Sequence, residues 1–447
     1  MPSGLDAALK IDLSRYHRIL DTGNFIQIHG KVSEIVGLIV EGHGPAVSLG
    51  EVCAIYTAGR EKPVTAEVVG FRKGKVLLMP LDTIQGLSPG CRIVSLGRQA
   101  SVGIGPQCLG RVLDGLGQPI DDQGPVTPEV TYPIYADPIN PLKRGRITEP
   151  IDLGIKAING VLTCGKGQRM GIFAGSGVGK SVLLGMIARN TQADVNVIGL
   201  IGERGREVRE FLEKSLGREG LERSVVVVAA SDRHPLIRMR AAYVATTIAE
   251  YFRDQGKDVL LMVDSLTRFA MAQREIGLSV GEPPTTKGYT PSVFSLLPKL
   301  LERSGKLEGK GSITGLYTIL VEGDDFNEPI ADAARSILDG HVTLTRELAN
   351  AGHYPAVDVL QSISRVMIDV VDKEQLQMAG RIQNIIATYK KAEDLINIGA
   401  YVKGSNAEID YAVSMIDGVN EFLRQGINEK VDLARTKRLM QDLFRGR

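Results

Sequence analysis

One short glycine-rich stretch limits what this chain can fold into more than any other part of its sequence. Residues 174–181 read A-G-S-G-V-G-K-S, with an apolar run before them at Met170–Phe173 and a helix-like run after them at Val182–Arg189. A strand, a glycine loop and a helix in this order build a concave anion site, because the loop N–H groups and the helix N-terminus point at one place. The pattern predicts an α/β fold whose loop binds the phosphates of a nucleoside triphosphate.

Individual residues of this loop are predicted to contact the nucleoside triphosphate. Lys180 can reach the terminal phosphates and act in catalysis, and the hydroxyl of Ser181 can bind Mg²⁺. Ala174 stands where the usual pattern has its first glycine, but Gly175 and Gly177 still let the backbone approach the phosphate closely. A strand-to-helix turn without a ligand is the alternative, and the Lys-Ser pair directly after the third glycine argues against it. The predicted contacts are Gly175, Ser176, Gly177, Val178, Gly179, Lys180, Ser181 and Val182.

The overall composition argues against several classes of protein. Lysine and arginine number 53 against 52 aspartate and glutamate residues, so no net field draws the chain to nucleic acid, and we expect no nucleic acid partner. The four cysteines are far apart and the six histidines are scattered, which favours reduced thiols over a disulfide framework or a zinc site. No apolar run approaches the roughly 20 residues of a membrane span, and the N-terminus lacks a signal pattern. We therefore expect a cytoplasmic protein.

The composition and hydrophobic spacing of the chain before the loop predict three segments. Residues 1–20 carry an apolar stripe at helical spacing, which docks either on the chain itself or on a partner helix. The stripe consists of Leu9, Leu13, Tyr16 and Leu20. Residues 21–98 form the second segment. Residues 99–150 are predicted to be a connector, because Gly110–Asp121 is glycine-rich without a Lys-Ser pair and Pro133–Pro150 has the composition of a linker.

The second segment is predicted to be a β-barrel, because short β-rich runs alternate with glycine and proline turns. The runs are Phe25–His29, Leu38–Val40, Thr65–Val69, Val76–Met79 and Arg92–Leu96. The barrel is either an oligomerisation collar or an oligonucleotide-binding domain, and the latter needs aromatic and basic side chains interleaved on one face. Phe25, Tyr56 and Phe71 are too few for that, so the sequence favours the collar.

The rest of the chain contains a core, at residues 151–370, and a helical C-terminal domain, at residues 371–447. The core alternates apolar runs with helical patterns, which predicts a mainly parallel sheet with helices on both faces. Its runs are Val195–Ile201, Val225–Ala230, Val259–Val263 and Ile313–Leu320, and its helical patterns are Glu207–Leu216, Leu236–Phe252 and Ala331–Leu338. In the C-terminal domain, Ile409, Val413 and Ile416 are predicted to share one core face.

Two carboxylates stand at the ends of apolar runs, where parallel sheets bind their ligands. Asp264 closes the run Val259–Val263 and needs a cation there; Mg²⁺ beside the phosphates would supply it, unless Asp264 only caps the next helix. Glu203 follows another run and could orient or deprotonate the water that attacks the γ-phosphate. Arg204 beside it could touch that phosphate, whereas the neighbouring Arg206 and Glu207 could equally form a surface ion-pair cluster.

Six motifs occur in this order along the chain: A-G-S-G-V-G-K-S, G-E-R-G-R-E-V, V-D-S-L-T-R, G-E-P-P-T-T-K-G-Y, E-G-D-D and H-Y-P-A-V-D with S-I-S-R. Together they closely resemble the ATPases of type III protein export, from about Val36 to about Gly404. The segment Lys391–Gly404 looks more like the flagellar branch of that family than like the injectisome branch.

The resemblance implies a fold, an activity and partners. It implies a homohexameric ring related to the catalytic subunits of rotary ATP synthases, with a β-barrel collar, a RecA-like P-loop core and a helical C-terminal domain. ATP hydrolysis would energise chaperone release, unfolding and delivery of export substrates. The implied partners are a stator-like regulator, a central stalk protein, export chaperones with their substrates, and a membrane export gate contacted from the inner face.

The resemblance also implies roles for individual residues. It agrees with the roles given above to the loop residues, to Glu203 at the attacking water and to Asp264 in the metal shell. It implies that Arg365 stabilises transition-state charge in a neighbouring subunit. It implies further that Tyr354 stacks on adenine, although an ordinary half-buried tyrosine beside a turn proline would give the same sequence.

Some residues depart from the family pattern. Thr290 stands where a second proline is expected, and the acidic run of the rotary catalytic subunit is scattered here as Asp369, Asp372 and Glu374. The loop Gly281–Tyr289 either faces the pore of the ring or is a plain surface loop. A rotary synthase catalytic subunit, a hexameric RNA translocase and a non-hydrolysing nucleotide-binding scaffold are the alternative functions. Glu203 and Arg365 argue against the scaffold, because a protein that only binds nucleotide does not need them.

Overall fold

The computed structural model describes residues 13–14, 16–17, 28–57, 59, 61–321 and 325–445. Leu9 and Leu20 of the predicted N-terminal stripe and the start of the run Phe25–His29 lie outside these residues. Leu13 and Tyr16, which belong to the stripe, are exposed. The chain separates into two compact units, Met1–Gln99 and Ala100–Arg447, and each is described below by itself.

Within the described residues of the first unit, six antiparallel strands close into a barrel, in the order β1-β2-β5-β4-β3-β6. Apolar side chains fill its interior, among them Val40, Ile55 and Ile93, so the predicted barrel is confirmed. The strands are β1 (Gly30–Val36), β2 (Ile39–His43), β3 (Glu51–Tyr56), β4 (Val64–Arg72), β5 (Lys75–Pro80) and β6 (Arg92–Gln99). Strands β1 and β3 lie outside the runs predicted from the sequence.

The second unit is built on one large sheet whose strands are mostly parallel. Its order is β17-β16-β10-β15-β13-β11-β12-β8, with β17 antiparallel to β16 and the short β14 antiparallel to β15. A separate two-stranded ribbon pairs β7 with β9. The strands are β7 (Ser101–Ile104), β8 (Val112–Asp114), β9 (Val130–Pro133), β10 (Arg169–Ala174), β11 (Val195–Ile201), β12 (Ser224–Ala229), β13 (Asp258–Asp264), β14 (Gly305–Lys306), β15 (Ser312–Leu320), β16 (Gly340–Leu344) and β17 (Val357–Ser364).

Helices connect these strands and cover them. All seven residues of β11 are buried, which requires cover on both faces of the sheet, as the continuous apolar runs predict. The helices are α1 (Lys156–Val161), α2 (Lys180–Asn190), α3 (Gly205–Glu210), α4 (Gly217–Glu222), α5 (Pro235–Asp254), α6 (Leu266–Ser279), α7 (Pro291–Leu301), α8 (Pro329–Ile337), α9 (Arg346–Asn350), α10 (Met367–Val370), α11 (Lys373–Asn397), α12 (Ala407–Leu423) and α13 (Leu433–Phe444), with a π-helical turn, Phe211–Leu216, between α3 and α4.

The glycine-rich segment Gly110–Asp121 is more than the predicted connector, because its strand β8 extends the sheet beside β12. Arg111 fastens the segment with two hydrogen bonds of 2.7 Å to the carboxylate of Asp121. This contact with Arg111 lowers the pKa of Asp121 to about 2. Gly115 allows a close approach, since a Cβ there would lie 2.6 Å from the carbonyl oxygen of Ile237. The segment therefore belongs to the core of the second unit.

The C-terminal helices pack on the core through a face that differs from the predicted one. In α12 the buried positions are Ala412, Met415, Ile416 and Val419, whereas Val413 is exposed. The prediction of Val413 as a core residue is therefore wrong, and the neighbouring Ala412 is buried instead. In the part of the chain that the structure describes, no helix is long and apolar enough to cross a membrane.

A fully buried arginine joins three parts of the second unit. Arg303, which has no exposed side-chain surface, donates to Glu250 Oε1 at 2.9 Å and to Thr247 Oγ1 at 2.9 Å, both on α5. It also donates to the carbonyl oxygen of Ile134, at 2.6 Å, in the segment that follows β9. Because every partner is buried or close to buried, the charge of Glu250 depends on this one guanidinium.

Arg303→Met is expected to lower the free energy of unfolding by about 3–5 kcal/mol, because it leaves Glu250 buried without its cation. Chemical denaturation of the variant beside the wild type measures the difference. Arg218→Met, which breaks the solvent-exposed pair Arg218–Glu222, is the control and should leave the unfolding midpoint unchanged. A second change, Glu250→Leu, should restore part of the loss in the Arg303→Met chain. Equal midpoints for Arg303→Met and the control would contradict the assigned role.

Candidate nucleotide-binding site

The glycine loop follows β10 and leads into α2, as the sequence predicts. Gly177 and Gly179 have φ angles of 80° and 92°, in the left-handed region that favours glycine. Gly179 occupies the position before the first turn of α2, and Lys180 is the first residue of that helix. The N–H groups of this turn have no partner within the helix and point out of its N-terminus. Apart from its chain neighbours, no atom of the described residues lies within 4 Å of a Cβ built on Gly177, so the loop presents its backbone to an open space.

Lys180 lies between two carboxylates that come from neighbouring strands. Its Nζ is ion-paired with Asp264 Oδ1 at the end of β13 and lies 3.4 Å from Oε1 of Glu203, which follows β11. The parallel register sets Leu200 of β11 opposite Asp264, so both acids come to the same edge of the sheet. Asp264 also accepts a hydrogen bond of 2.6 Å from Thr318 Oγ1 on β15. The structure therefore brings the predicted Lys180, Glu203 and Asp264 into one cluster.

Burial and neighbouring charges shift the pKa values of the residues in this cluster. Burial alone would lower the pKa of Lys180, but the adjacent carboxylates of Asp264 and Glu203 raise it above its ordinary value. Burial raises the pKa of Glu203 to about 7, with Lys180 acting in the opposite direction. Hydrogen bonding between the Glu203 and Glu207 carboxyl groups raises the pKa of Glu203 further and lowers that of Glu207. Glu203 can therefore gain or lose a proton near neutral pH.

The donor set beside Lys180 suits Mg²⁺ bound together with phosphates. Ser181 offers a hydroxyl at the start of α2 and Asp264 offers a carboxylate, and both are the hard oxygen donors that Mg²⁺ prefers. Among the described residues, no group of three or more histidine, cysteine or acidic side chains could hold a metal ion. Mg²⁺ in nucleotide sites takes only one or two protein oxygens and completes its shell with phosphate and water. The residues present therefore fit a metal that arrives with its nucleotide.

An apolar cavity of about 480 Å³ opens beside the loop. Tyr354 lies on its wall with 47% of its surface exposed, and its ring passes about 3.5 Å from where a Cβ on Gly179 would stand. The size and the aromatic wall suit a flat heterocyclic base. The lining residues are Gly177, Val178, Gly179, Val182, Leu183, Met186, Leu344, Tyr354, Pro355, Ala356, Gln425, Gly426 and Ile427.

Gln425 holds the C-terminal part of this lining in place. Its backbone N–H donates to the carbonyl oxygen of Tyr354 at 2.9 Å. Its buried side chain donates to the carbonyl oxygen of Gly154 at 2.8 Å and accepts from the N–H of Lys156 at 2.7 Å. The segment between α12 and α13 is therefore fixed to the wall of the cavity.

Two predicted catalytic arginines lie away from the Lys180 cluster. Arg204 has 76% of its side chain exposed and pairs with Glu207 at 3.2 Å, so the structure directs it to the surface. Arg365 follows the last residue of β17, which lies opposite Gly340 at the start of β16. The glycine loop follows Ala174, which lies opposite Leu344 at the other end of β16. At about 3.3 Å per residue, roughly 15 Å of strand separate Arg365 from the loop of its own chain.

Several residues of the site escaped sequence reasoning. Thr318 lies inside an apolar run, and only the sheet order shows that it faces Asp264. Gln425 lies far from the loop in sequence, and its turn between two helices carries no motif. Arg268 lies against Gly202, one residue before Glu203, and its buried Nε has no hydrogen-bond partner in the described part of the chain. The motif V-D-S-L-T-R already contained Arg268, so this residue could have been found.

Three protein-family profiles match consecutive parts of the chain. The ATP synthase alpha/beta family, beta-barrel domain, matches residues 32–97, and the nucleotide-binding domain of the same family matches residues 154–364. The T3SS EscN ATPase C-terminal domain matches residues 371–442. The order of these matches agrees with the barrel, the sheet that carries the glycine loop, and the C-terminal helices.

Similar proteins are known across most of the chain length. The flagellum-specific ATP synthase of Bacillus subtilis is 54% identical over 90% of this chain and 92% of its own length. The type 3 secretion system ATPase of Xanthomonas euvesicatoria is 53% identical over 89% of this chain and 90% of its own. The assembled ATPase EscN of the enteropathogenic E. coli type III secretion system superposes with a TM-score of 0.87, at 46% identity, and covers 93% of this chain and 99% of EscN. The resemblance to the export ATPases is thereby confirmed, and this chain belongs to the ATP synthase alpha/beta family as an ATPase of its flagellum-specific and type 3 secretion group.

Proposed function

We propose that this chain hydrolyses ATP between neighbouring copies of a homohexameric ring and thereby energises flagellar-type protein export. The proposal rests on one observation: the predicted catalytic residues lie at two opposite edges of one sheet. Lys180, Glu203 and Asp264 meet below the glycine loop, whereas Arg365 is exposed at the opposite edge. A site that needs all four is complete only where the loop edge of one copy meets the Arg365 edge of the next.

The loop and the cavity bind the substrate. The N–H groups at the start of α2 and the ammonium of Lys180 bind the phosphates. The phosphates then replace Asp264 and Glu203 as the ion-pair partners of Lys180. Tyr354 and the apolar lining cover the adenine. Ser181 and Asp264 would hold Mg²⁺, which when bound neutralises phosphate charge. Arg204 remains a predicted phosphate contact that would have to turn away from Glu207.

Glu203 acts on the attacking water. Release from Lys180 leaves its carboxylate free to accept a hydrogen bond from water and to orient it toward the γ-phosphate. Water oxygen bonds to the γ-phosphorus as the bond to the bridging oxygen breaks, so ATP and water give ADP and inorganic phosphate. Arg365 of the neighbouring copy neutralises the charge that develops on the transferred group. Catalysis then depends on contact between copies.

The expected surroundings of the ring follow from its relatives. EscN has been solved in complex with its central stalk EscO, at a TM-score of 0.85 to this chain, and we extend a central stalk partner to this protein. We also propose the other predicted partners, namely a stator-like regulator, export chaperones with their substrates, and the membrane export gate. The ring would work in the cytoplasm against the inner membrane.

Lys180→Ala is expected to abolish ATP binding, whereas Glu203→Gln should bind ATP as the wild type does and lose about 10²- to 10⁴-fold in turnover. The reason is that Lys180 contacts the bound ground state, whereas Glu203 acts only on the water. Titration with a fluorescent ATP analogue and a phosphate-release assay separate the two effects. Equal loss of ATP affinity in both variants would refute the two roles.

The pH dependence of kcat/KM tests the role of Glu203 independently. The pKa of Glu203 is raised to about 7, and the base must be deprotonated, so kcat/KM should fall as the pH drops below about 7. The residual kcat/KM of Glu203→Gln should lack this fall below about pH 7. Ionisation of ATP itself affects the variant and the wild type alike. A profile with the same acidic limb in both proteins would show that another group titrates.

Arg365→Ala is expected to bind ATP and to lose about 10³- to 10⁵-fold in turnover, because the variant lacks the cation that meets transition-state charge. Mixed rings of Arg365→Ala and Glu203→Gln chains distinguish a contribution in trans from one in cis. Some interfaces in such rings pair an intact Glu203 with an intact Arg365 of the neighbour, and these should regain hydrolysis. If both variants enter mixed rings and no activity returns at any ratio, Arg365 does not act across the interface.

A further inference from the structure

The loop Gly281–Tyr289, between α6 and α7, makes a specific charged contact that its surface position does not require. Lys287 has a φ of 52°, in the left-handed region that is uncommon for residues with side chains. About half of its side chain is exposed, yet its Nζ lies 3.3 Å from Glu328 Oε1 and 3.5 Å from Asp325 Oδ2. These two carboxylates lie in the turn that leads into α8.

The turn and α8 behave as one unit because a single arginine joins them. Arg335, in the last turn of α8, donates to the carbonyl oxygen of Phe326 in the turn before that helix. Ile330, Ala331 and Ala334 bury the inner face of the helix. A displacement of the turn therefore carries α8 with it.

The other end of α8 holds the exposed Arg365. The Nη2 group of Arg365 donates to the backbone carbonyl oxygen of Arg335 at 3.4 Å. Carbonyl groups at a helix C-terminus carry partial negative charge and attract cations. The guanidinium of Arg365 is therefore oriented by the end of α8, while the start of α8 is tied to Lys287.

We infer that Lys287 is a positioning residue for Arg365, which it sets through the turn at Asp325–Glu328 and the helix α8. The inference rests on the proposed action of Arg365 on a neighbour's ATP. The contact path consists of the two ion pairs of Lys287, the hydrogen bond from Arg335 to the turn, the helix α8 and one hydrogen bond from Arg365.

The expected effect is small but specific. Ion pairs of a half-exposed lysine at the surface are worth little, so Lys287→Met should lower kcat about two- to fivefold and leave the KM for ATP unchanged. Lys287→Arg, which keeps the cation, should restore kcat. Raising the salt concentration should reduce the difference between the wild type and Lys287→Met, because salt screens an exposed pair.

The decisive measurement is the double variant Lys287→Met/Arg365→Ala in the full chain, assayed by phosphate release. If Lys287 acts through Arg365, the second change should cause no further loss in the Arg365→Ala background. The same two- to fivefold loss in both backgrounds would overturn the inference. A lower fraction of assembled rings for Lys287→Met, measured by light scattering at the assay concentration, would also overturn it.

Lys310→Met is a matched control, since Lys310 is also about half exposed and pairs with a single carboxylate, Asp254, at 3.4 Å. It should leave kcat unchanged, and a loss equal to that of Lys287→Met would count against the inference. The proposed function has a separate test. If Arg365→Ala alone keeps full turnover, the proposed role of Arg365 at the interface is wrong. If Arg365→Ala loses its turnover but Lys287→Met has no effect, only the positioning role of Lys287 is wrong.

Discussion

The parallel alignment of β10, β11, β13 and β15 is the constraint on which the rest of this structure depends. Strands that are buried on both faces are mainly apolar along their length, so charged side chains are confined to the strand ends. Because the strands run the same way, those ends meet at one edge, and residues far apart in sequence become neighbours. The glycine loop, Glu203 and Asp264 form a site for that reason. The antiparallel β17 runs back across the sheet, so Arg365 lies at the opposite edge, where it is exposed.

The charged side chains of the site stabilise one another in the folded protein, in addition to their proposed role in catalysis. The buried Asp264 and the partly buried Lys180 and Glu203 would each be costly alone, and together they satisfy one another. In the proposed mechanism, the arriving phosphates replace the carboxylates as partners of Lys180, which leaves the acids available for water and for Mg²⁺. In that mechanism, one set of contacts both stabilises the folded site and prepares it for hydrolysis, in keeping with an ATPase that drives protein export.

Sequence reasoning was most successful where one physical signal dominates. The loop and the buried strands were predicted because glycine, Lys-Ser and continuous apolar runs have few alternative explanations. The strands β16 and β17 escaped because they are short or carry polar residues, and their place follows from sheet order rather than from local propensity. Val413 was assigned to the wrong face because spacings of three and four residues are both helical, and only the packing partner selects the phase. The far edge position of Arg365 could not be derived from the chain itself, since it depends on pairing between distant strands.

The hydrogen bonds of Gln425 have a thermodynamic consequence. This one residue, in the segment between the last two helices, touches the backbone of Tyr354 on the nucleotide cavity and the backbone of Gly154 and Lys156 at the start of the core. Anything that moves this segment must alter the cavity wall and therefore the affinity for nucleotide. Binding free energies are reciprocal, so nucleotide must alter the affinity of any such partner by the same factor. A protein that docks on the C-terminal helices and shifts this segment would thus sense whether ATP is bound, with no contact to ATP itself.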